Sequence, residues 1–227
     1  MTRGVFVTGT DTGVGKTFAA CVLIHALRSQ GLRVAPMKPV AAGAIRHGRG
    51  FANEDTLALA AAAGPHAPPP GMLTPVLLQQ AMAPHIAAER EGRVITLAPV
   101  LEARERVAAA ADFLVVEGVG GWQVPLGPSL DTVDLARAMA LPVILVVGLR
   151  LGCLNHALLT AAAIAASGLA CKGWIANAIE PDMPGREENI AALVARLPAP
   201  LLGQLPFAAG TSARDLATRL DVAPLLA

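Results

Sequence analysis

Excess charge, cysteine and long apolar runs are what this sequence has least of, and each shortage removes a class of function. Its 227 residues carry 18 Lys and Arg against 17 Asp and Glu, a formal net charge of +1. That balance leaves no basic surface of the kind that binds nucleic acid or anionic membranes, so the expected partner is a small molecule. Hydrophobic residues make up 54% of the chain, yet alanine dominates them. The longest strongly apolar stretch, Leu141 to Leu149, is about half of a membrane span. The N-terminus shows no charged region followed by an apolar segment and a small-residue cleavage site, and the expected location is cytoplasmic. The three cysteines, Cys21, Cys153 and Cys171, are odd in number and widely spaced. They form no C-x-x-C pair, and only His156 stands near one of them, so they read as buried thiols.

What the sequence does have is a distinctive start. Val5 to Thr8 is a short apolar run, Gly9-Thr10-Asp11-Thr12-Gly13-Val14-Gly15-Lys16-Thr17 is a loop of small residues, and periodic apolar positions follow through Leu27. Strand, loop and helix in that order direct backbone N–H groups and the positive helix end at one volume, which suits a triphosphate. Gly13 and Gly15 allow positive φ and close approach of phosphate oxygens. Lys16 would reach the β and γ phosphates, and the Thr17 hydroxyl would hold Mg²⁺. The common G-x-x-x-x-G-K-[ST] pattern wants glycine where this chain has Thr10, with Gly9 one place early, so the loop is a variant.

Alanine-rich helical stretches alternate with apolar runs along the chain, the βαβ rhythm of a parallel sheet. The spacing predicts strands at Val5 to Thr8, Arg33 to Lys38, Phe113 to Glu117, Val143 to Gly148, Trp174 to Asn177 and Leu201 to Leu205. It predicts helices at Thr17 to Gln30, Glu54 to Ala63, Leu97 to Ala110, Thr132 to Ala140, His156 to Ser167, Arg186 to Arg196 and Ser212 to Leu220. The expected fold is α/β, a mostly parallel sheet flanked by helices on both faces, P-loop NTP hydrolase-like, in a single domain over residues 1–227. Five prolines between Gly64 and Pro75 predict a surface excursion that is neither helix nor central strand. Gly43 to Gly50, with Arg46, His47 and Arg49 among glycines, is expected to be irregular, either closing over an anionic substrate or simply solvated.

Two further charges fall at strand ends. Glu117 ends an apolar run and precedes Gly118-Val119-Gly120-Gly121, where phosphate-loop proteins place an acid that holds the metal or its water. Asp55 is a second hard oxygen candidate. Either carboxylate can instead cap a helix or face solvent. Lys38, before Pro39, could neutralise transferring phosphate from its strand terminus, although composition alone makes it a surface lysine.

At these residues the chain meets a known family. The phosphate loop, Lys38-Pro39-Val40, Glu117-Gly118-Val119-Gly120-Gly121-Trp122, Pro142 to Gly148, Leu151-Gly152-Cys153-Leu154-Asn155-His156-Ala157, Gly173 to Asn177 and Pro200 to Pro206 together resemble the dethiobiotin synthetases nearly end to end. The resemblance implies an ATP-dependent cyclo-ligase of biotin synthesis that converts 7,8-diaminopelargonate and CO₂ to dethiobiotin, releasing ADP and phosphate through a carbamate and a carbamic-phosphoric mixed anhydride. It implies ATP and Mg²⁺, with Thr17, Asp55 and Glu117 as metal ligands and Lys38, Lys16 and Thr12 as the catalytic set. Nucleotide contacts would come from Gly13, Val14, Gly15, Lys16, Thr17, Asp55, Glu117, Gly118, Val119 and Gly120, with Asn177 reading adenine and Pro206 and Phe207 lining the base pocket. Substrate would touch Lys38 and Ala42 in one subunit of a homodimer, and Gly152, Cys153, Leu154 and Asn155 of the other would receive its carboxylate. Two departures stand out: Ala42 lacks the hydroxyl that many members carry there, and Ala178 replaces an acid after Asn177. The competing reading is a partition or septum-positioning ATPase switch of the same fold. Those proteins carry a lysine early in the loop, where this chain has Asp11, and the C-terminal residues show no basic amphipathic helix.

Overall fold

The computed structural model describes residues 3–48, 50–207 and 210–226. In chain order the first half comprises β1 (Arg3–Gly9), α1 (Lys16–Ser29), β2 (Val34–Met37), β3 (Val40–Ala42), β4 (Ile45–His47), β5 (Gly50–Ala52), α2 (Glu54–Ala63), α3 (Pro70–Leu73), β6 (Val76–Leu78), α4 (Pro84–Arg90) and α5 (Ala98–Ala109). The second half comprises β7 (Phe113–Glu117), β8 (Pro125–Gly127), β9 (Leu130–Asp131), α6 (Thr132–Met139), β10 (Val143–Leu149), α7 (Cys153–Ala166), β11 (Cys171–Ala178), α8 (Arg186–Val194), β12 (Leu201–Leu205) and α9 (Ala223–Leu226).

The main sheet has six parallel strands in the order β12-β11-β10-β1-β7-β2. Strand alternation splits its side chains between two cores. Val5, Val7, Val115, Ile144 and Val146 pack with α1 and α2, whereas Phe6, Leu114, Val116, Leu145 and Trp174 pack with α5 through α8. Strands covered on both faces must be apolar throughout, which is why Val143–Leu149 is buried at every residue. The predicted α/β architecture is therefore what the chain adopts.

Several local expectations fail for identifiable reasons. Ser212 to Leu220 is not a helix: only Ala217–Arg219 makes a 3₁₀ turn, and Leu220 instead bridges antiparallel to Gly203. The buried pair Leu216 and Leu220, four apart, imitates a helical stripe while serving as a cover for the edge of β12. Gly43 to Gly50 is not irregular, because Ile45–His47 and Gly50–Ala52 pair as a small exposed hairpin; Arg49 lies outside the described residues. The proline-rich segment holds a 3₁₀ turn at Gly64–His66 and the one-turn α3, both with proline in the first two positions, where its missing N–H costs nothing. Finally, α7 starts at Cys153 and not His156, because Gly152 at φ 93° supplies the turn directly before it.

Candidate active site

All six main-sheet strands run parallel, so their carboxyl ends share one edge, and loops leaving that edge converge there. The phosphate loop leaves β1. Glu117 ends β7, in register with Val7 of β1, and Lys38 follows Met37 of β2, which is in register with Val116. Lys38 and Glu117 are thus neighbours because their strands are. From the opposite side, α2 brings Asp55 in its first turn.

The result is a cleft of about 790 Å³. Thr12, Gly13, Gly15, Lys16 and Thr17 line one side, Lys38, Asp55 and Glu117 the floor, and Ala41, Ala42, Met82 and Pro84 an apolar wall. Val119 and Gly120 also reach it. Lys38 Nζ donates to Glu117 Oε1 at 2.5 Å and to Asp55 Oδ2 at 2.9 Å, while Thr17 Oγ1 donates to the same Glu117 oxygen at 2.9 Å. Two carboxylates hold a single ammonium, and the Thr17 hydroxyl joins one of them. Glu117 is 0% exposed, and its Oε2 has no hydrogen-bond partner among the described residues. A buried acceptor without a donor is costly, and a hard cation with oxygen ligands would satisfy it. Two carboxylates and a hydroxyl suit Mg²⁺, which takes a few protein oxygens and leaves its other positions to phosphate and water.

Burial and neighbouring charge compete at this floor. Burial pushes the Glu117 carboxyl up, more than the Lys38 ammonium pulls it down. For Lys38, burial disfavours the charge, but Glu117 and Asp55 outweigh it and hold the pKa above the usual lysine value. Burial likewise raises Asp55, yet its contact with Lys38 leaves it below the ordinary aspartate value. Lys16 has no carboxylate in contact among the described residues. Its Nζ donates to the Asp11 carbonyl at 2.8 Å, and burial, followed by repulsion from Lys38, lowers its pKa to about 8. Glu117, Asp55 and Asp11 act on it only from a distance, and a desolvated ammonium with no counter-ion in contact is a strong site for an anion.

The loop itself is held from behind. Gly13 and Gly15 adopt φ 76° and 79°, and a Cβ on Gly15 would collide with Asn177 Nδ2. Asn177 is buried and donates from that nitrogen to the Val14 carbonyl at 2.8 Å, so its amide braces the loop. Asp11 accepts from the Thr12 N–H at 2.7 Å and pairs with Arg150 at 2.7 Å. The Thr12 N–H, joined by Arg150, holds its carboxyl below the usual range. Gly15 is the N-cap of α1 and offers no side-chain cap, so the helix's leading N–H groups remain open to a ligand.

A family model described as an AAA domain matches residues 3–214. The ATP-dependent dethiobiotin synthetase BioD of Xylella fastidiosa is 51% identical over 216 residues, spanning 95% of both chains. This chain belongs to the ATP-dependent dethiobiotin synthetase family. The synthetase of Xanthomonas campestris pv. campestris is 50% identical over 215 residues, spanning 95% of this chain and 96% of the relative. Among solved structures, the chain is similar to the signal recognition particle 54 kDa protein of Aeropyrum pernix with GDP (TM-score 0.58, 18% identity, 99% of this chain and 45% of that one). It is also similar to the septum site-determining protein MinD of Pyrococcus horikoshii with Mg-ADP (TM-score 0.52, 19% identity, 92% and 82%). At such identities these two share the fold alone.

Within this synthetase fold, not every residue that the sequence nominates lines the cleft. Val14 and Gly118 are buried beneath it. Pro206 and Phe207 are exposed just past β12, at the strand edge beside Asn177. Gly152, Cys153, Leu154 and Asn155 open α7 on a separate surface, with Cys153 buried and Gly152 and Asn155 exposed. Sequence reasoning misses Met82, Pro84 and Val124, small or apolar wall residues with no chemical signature, and also Arg150 and Asn53. Asn53 has a legible signal, an asparagine directly before Glu54-Asp55 at a helix start.

Proposed function

We propose that this chain closes the ureido ring of dethiobiotin from 7,8-diaminopelargonate and CO₂ at the expense of ATP. The observation that carries the reading is the floor of the cleft, where Lys38, Thr17, Asp55 and Glu117 meet beside Lys16 and an apolar wall. One substrate amine adds to CO₂ and loses a proton, giving a carbamate. A carbamate oxygen attacks the γ-phosphorus with departure of ADP, and the second amine attacks the activated carbon, closing the ring with release of phosphate and a proton. Thr17, Asp55 and Glu117 would hold Mg²⁺, which supplies positive charge to phosphate oxygens. Lys16 places a second cation against the phosphates. Lys38 leaves its carboxylates to neutralise the carbamate and the oxygens transferred to it. Ala41, Ala42 and Met82 give the aliphatic part of the substrate an apolar surface, and Ala42 offers no hydroxyl to it.

We read Asn177, Pro206 and Phe207 as the adenine side of the site, and the α7 start as the carboxylate side of a neighbouring subunit. Leu151 is 95% and Leu159 62% exposed beside that start, an apolar frame that a homodimer would cover. No helix among the described residues is long and apolar enough to cross a membrane, which suits a cytoplasmic enzyme.

The deciding assay measures ATP consumption and dethiobiotin formation with and without diaminopelargonate and bicarbonate. Hydrolysis indifferent to the diamine, with no ring product, sinks the ligase reading and favours a nucleotide switch. A pH effect follows from Lys16. Bound phosphate favours its charged form, so ATP binding draws in a proton near and above the free protein's value of about 8. ATP affinity therefore falls as pH rises through and beyond that value. Calorimetry in buffers of different ionisation enthalpy reads this uptake directly, and its absence in Lys16→Met locates it.

A further inference from the structure

We infer that Asn53 is a positioning residue that ties the substrate wall of the cleft to the metal-ligand carboxylate, an inference that rests on the function proposed above. Asn53 stands between β5 and α2 in extended conformation, 9% exposed. Its Oδ1 accepts from the Asp55 N–H at 3.0 Å, capping α2 and fixing the residue that presents its carboxylate to Lys38. Its Nδ2 points the other way, donating to the Ala42 carbonyl at 2.9 Å and approaching the Gly43 carbonyl at 3.4 Å. Ala42 and Asp55 both line the cleft, on the apolar wall and on the charged floor.

Helix capping alone does not call for asparagine here, since serine and aspartate cap about as well. Only an amide puts the acceptor and the donor on separate atoms of one short side chain, so that Oδ1 meets the Asp55 N–H while Nδ2 reaches the carbonyls on the other side. The hydrogen bonds of the α2 side chains lead elsewhere, from Asp55 to Lys38 and from Thr56 to Thr74, so the Asn53 amide carries the link to β3. Removing the donor leaves the Ala42 carbonyl without this partner and frees the wall to shift against the floor. Reacting groups carried on the two sides then lose register, and misplacements on the order of 1 Å cost about a hundredfold in rate.

The test compares Asn53→Ser and Asn53→Asp with wild type in three measurements: melting temperature, steady-state kinetics, and hydrogen exchange of the free protein. Both variants keep the cap but lose the Nδ2 donor, so the serine variant should melt only a few degrees below wild type and the aspartate variant, with a carboxylate facing carbonyls, somewhat lower. kcat/KM for the diamine should fall at least about tenfold, with aspartate no better than serine, while KM for ATP changes less than about twofold. In the absence of substrates, amides of residues 40–44 should exchange faster while those of α2 do not. Faster exchange at 40–44 without an effect on diamine kinetics overturns the positioning role. Unchanged exchange, or activity lost only in proportion to unfolded protein, overturns the tie itself. A wild-type enzyme that consumes no diamine refutes the proposed function instead, and the exchange result still judges the tie.

Discussion

Turnover in Lys38→Gln falls by about two to three orders of magnitude, while the same variant binds Mn²⁺ more tightly than wild type in the absence of nucleotide. Both outcomes follow from the place the ammonium holds. Lys38 Nζ sits between Asp55 Oδ2 and Glu117 Oε1, with Thr17 on the same Glu117 oxygen. A divalent ion would draw on these same two carboxylates and this hydroxyl, Glu117 through its unpartnered Oε2, so a metal entering the free protein competes with the ammonium already seated on them. Glutamine has no charge to displace and none to lend to a carbamate. It also leaves Glu117, 0% exposed, facing Asp55 without a cation in contact, Lys16 acting on both only from a distance. Breaking a buried pair in this way costs about 3–5 kcal/mol, so the metal-free variant melts well below wild type. Mn²⁺ should recover more of that loss than it adds to wild type. Because burial raises the Glu117 pKa, its protonated form needs no cation, and the deficit shrinks as pH falls. Rapid-quench turnover and Mn²⁺ titration followed by electron paramagnetic resonance check the two halves. Wild-type turnover would remove Lys38 from the chemistry, and unchanged Mn²⁺ affinity would show that ammonium and metal do not compete.

The legible half of this site is the half with one residue type per task. Glu117 stands out as the sole acid ending an apolar run, because a strand buried on both faces tolerates a carboxylate only where it emerges at the edge. Lys16 and Thr17 are readable for a similar reason, since a glycine turn before a helix admits few alternatives. Lys38 is ambiguous by itself and becomes interpretable once β2 is placed beside β7, a neighbour relation that no local pattern encodes. The apolar wall is illegible from its residue types: Ala42 is named only through the family resemblance, Ala41 and Met82 carry no signature beyond being apolar, and the short β3-β6 pairing sets the two alanines over the cleft with Met82 in the loop that leaves β6. Asn177 is the instructive mixed case. Its position past an apolar strand is readable, yet its amide donates to the Val14 carbonyl, bracing the loop whose ligand the family resemblance has it read. The failure at Ser212 to Leu220 has the same origin. Buried leucines four apart fit a helix as well as they fit a chain laid across the strand edge, and contact with Gly203 decides between them.

Gly15→Ala should lose ATP affinity far out of proportion to its size. At φ 79° any side chain costs about 1–2 kcal/mol in backbone strain. That cost alone is not specific, because Gly31 at φ 81° would incur it equally, and a Cβ there meets nothing within 4 Å among the described residues. What distinguishes Gly15 is Asn177, whose Nδ2 occupies the space a Cβ would take while donating to Val14. The methyl must either push the amide off the Val14 carbonyl, leaving buried polar groups unpaired at about 1–3 kcal/mol, or lift the loop away from the strand edge. Lifting the loop moves Lys16 and Thr17 together, since both follow Gly15 directly, and pulls Thr17 from Glu117. A free loop that lifts to escape both penalties must take them on again to bind ATP, and their sum of about 2–5 kcal/mol then corresponds to roughly a thirtyfold to several-thousandfold loss in nucleotide affinity. Gly31→Ala should lower the melting temperature by the backbone strain alone and leave ATP binding unchanged. Calorimetric titration of both variants separates the two effects. Equal ATP affinity in Gly15→Ala and Gly31→Ala would mean that Asn177 yields without moving the loop, and that the brace behind the phosphate site is softer than its hydrogen bond and burial indicate.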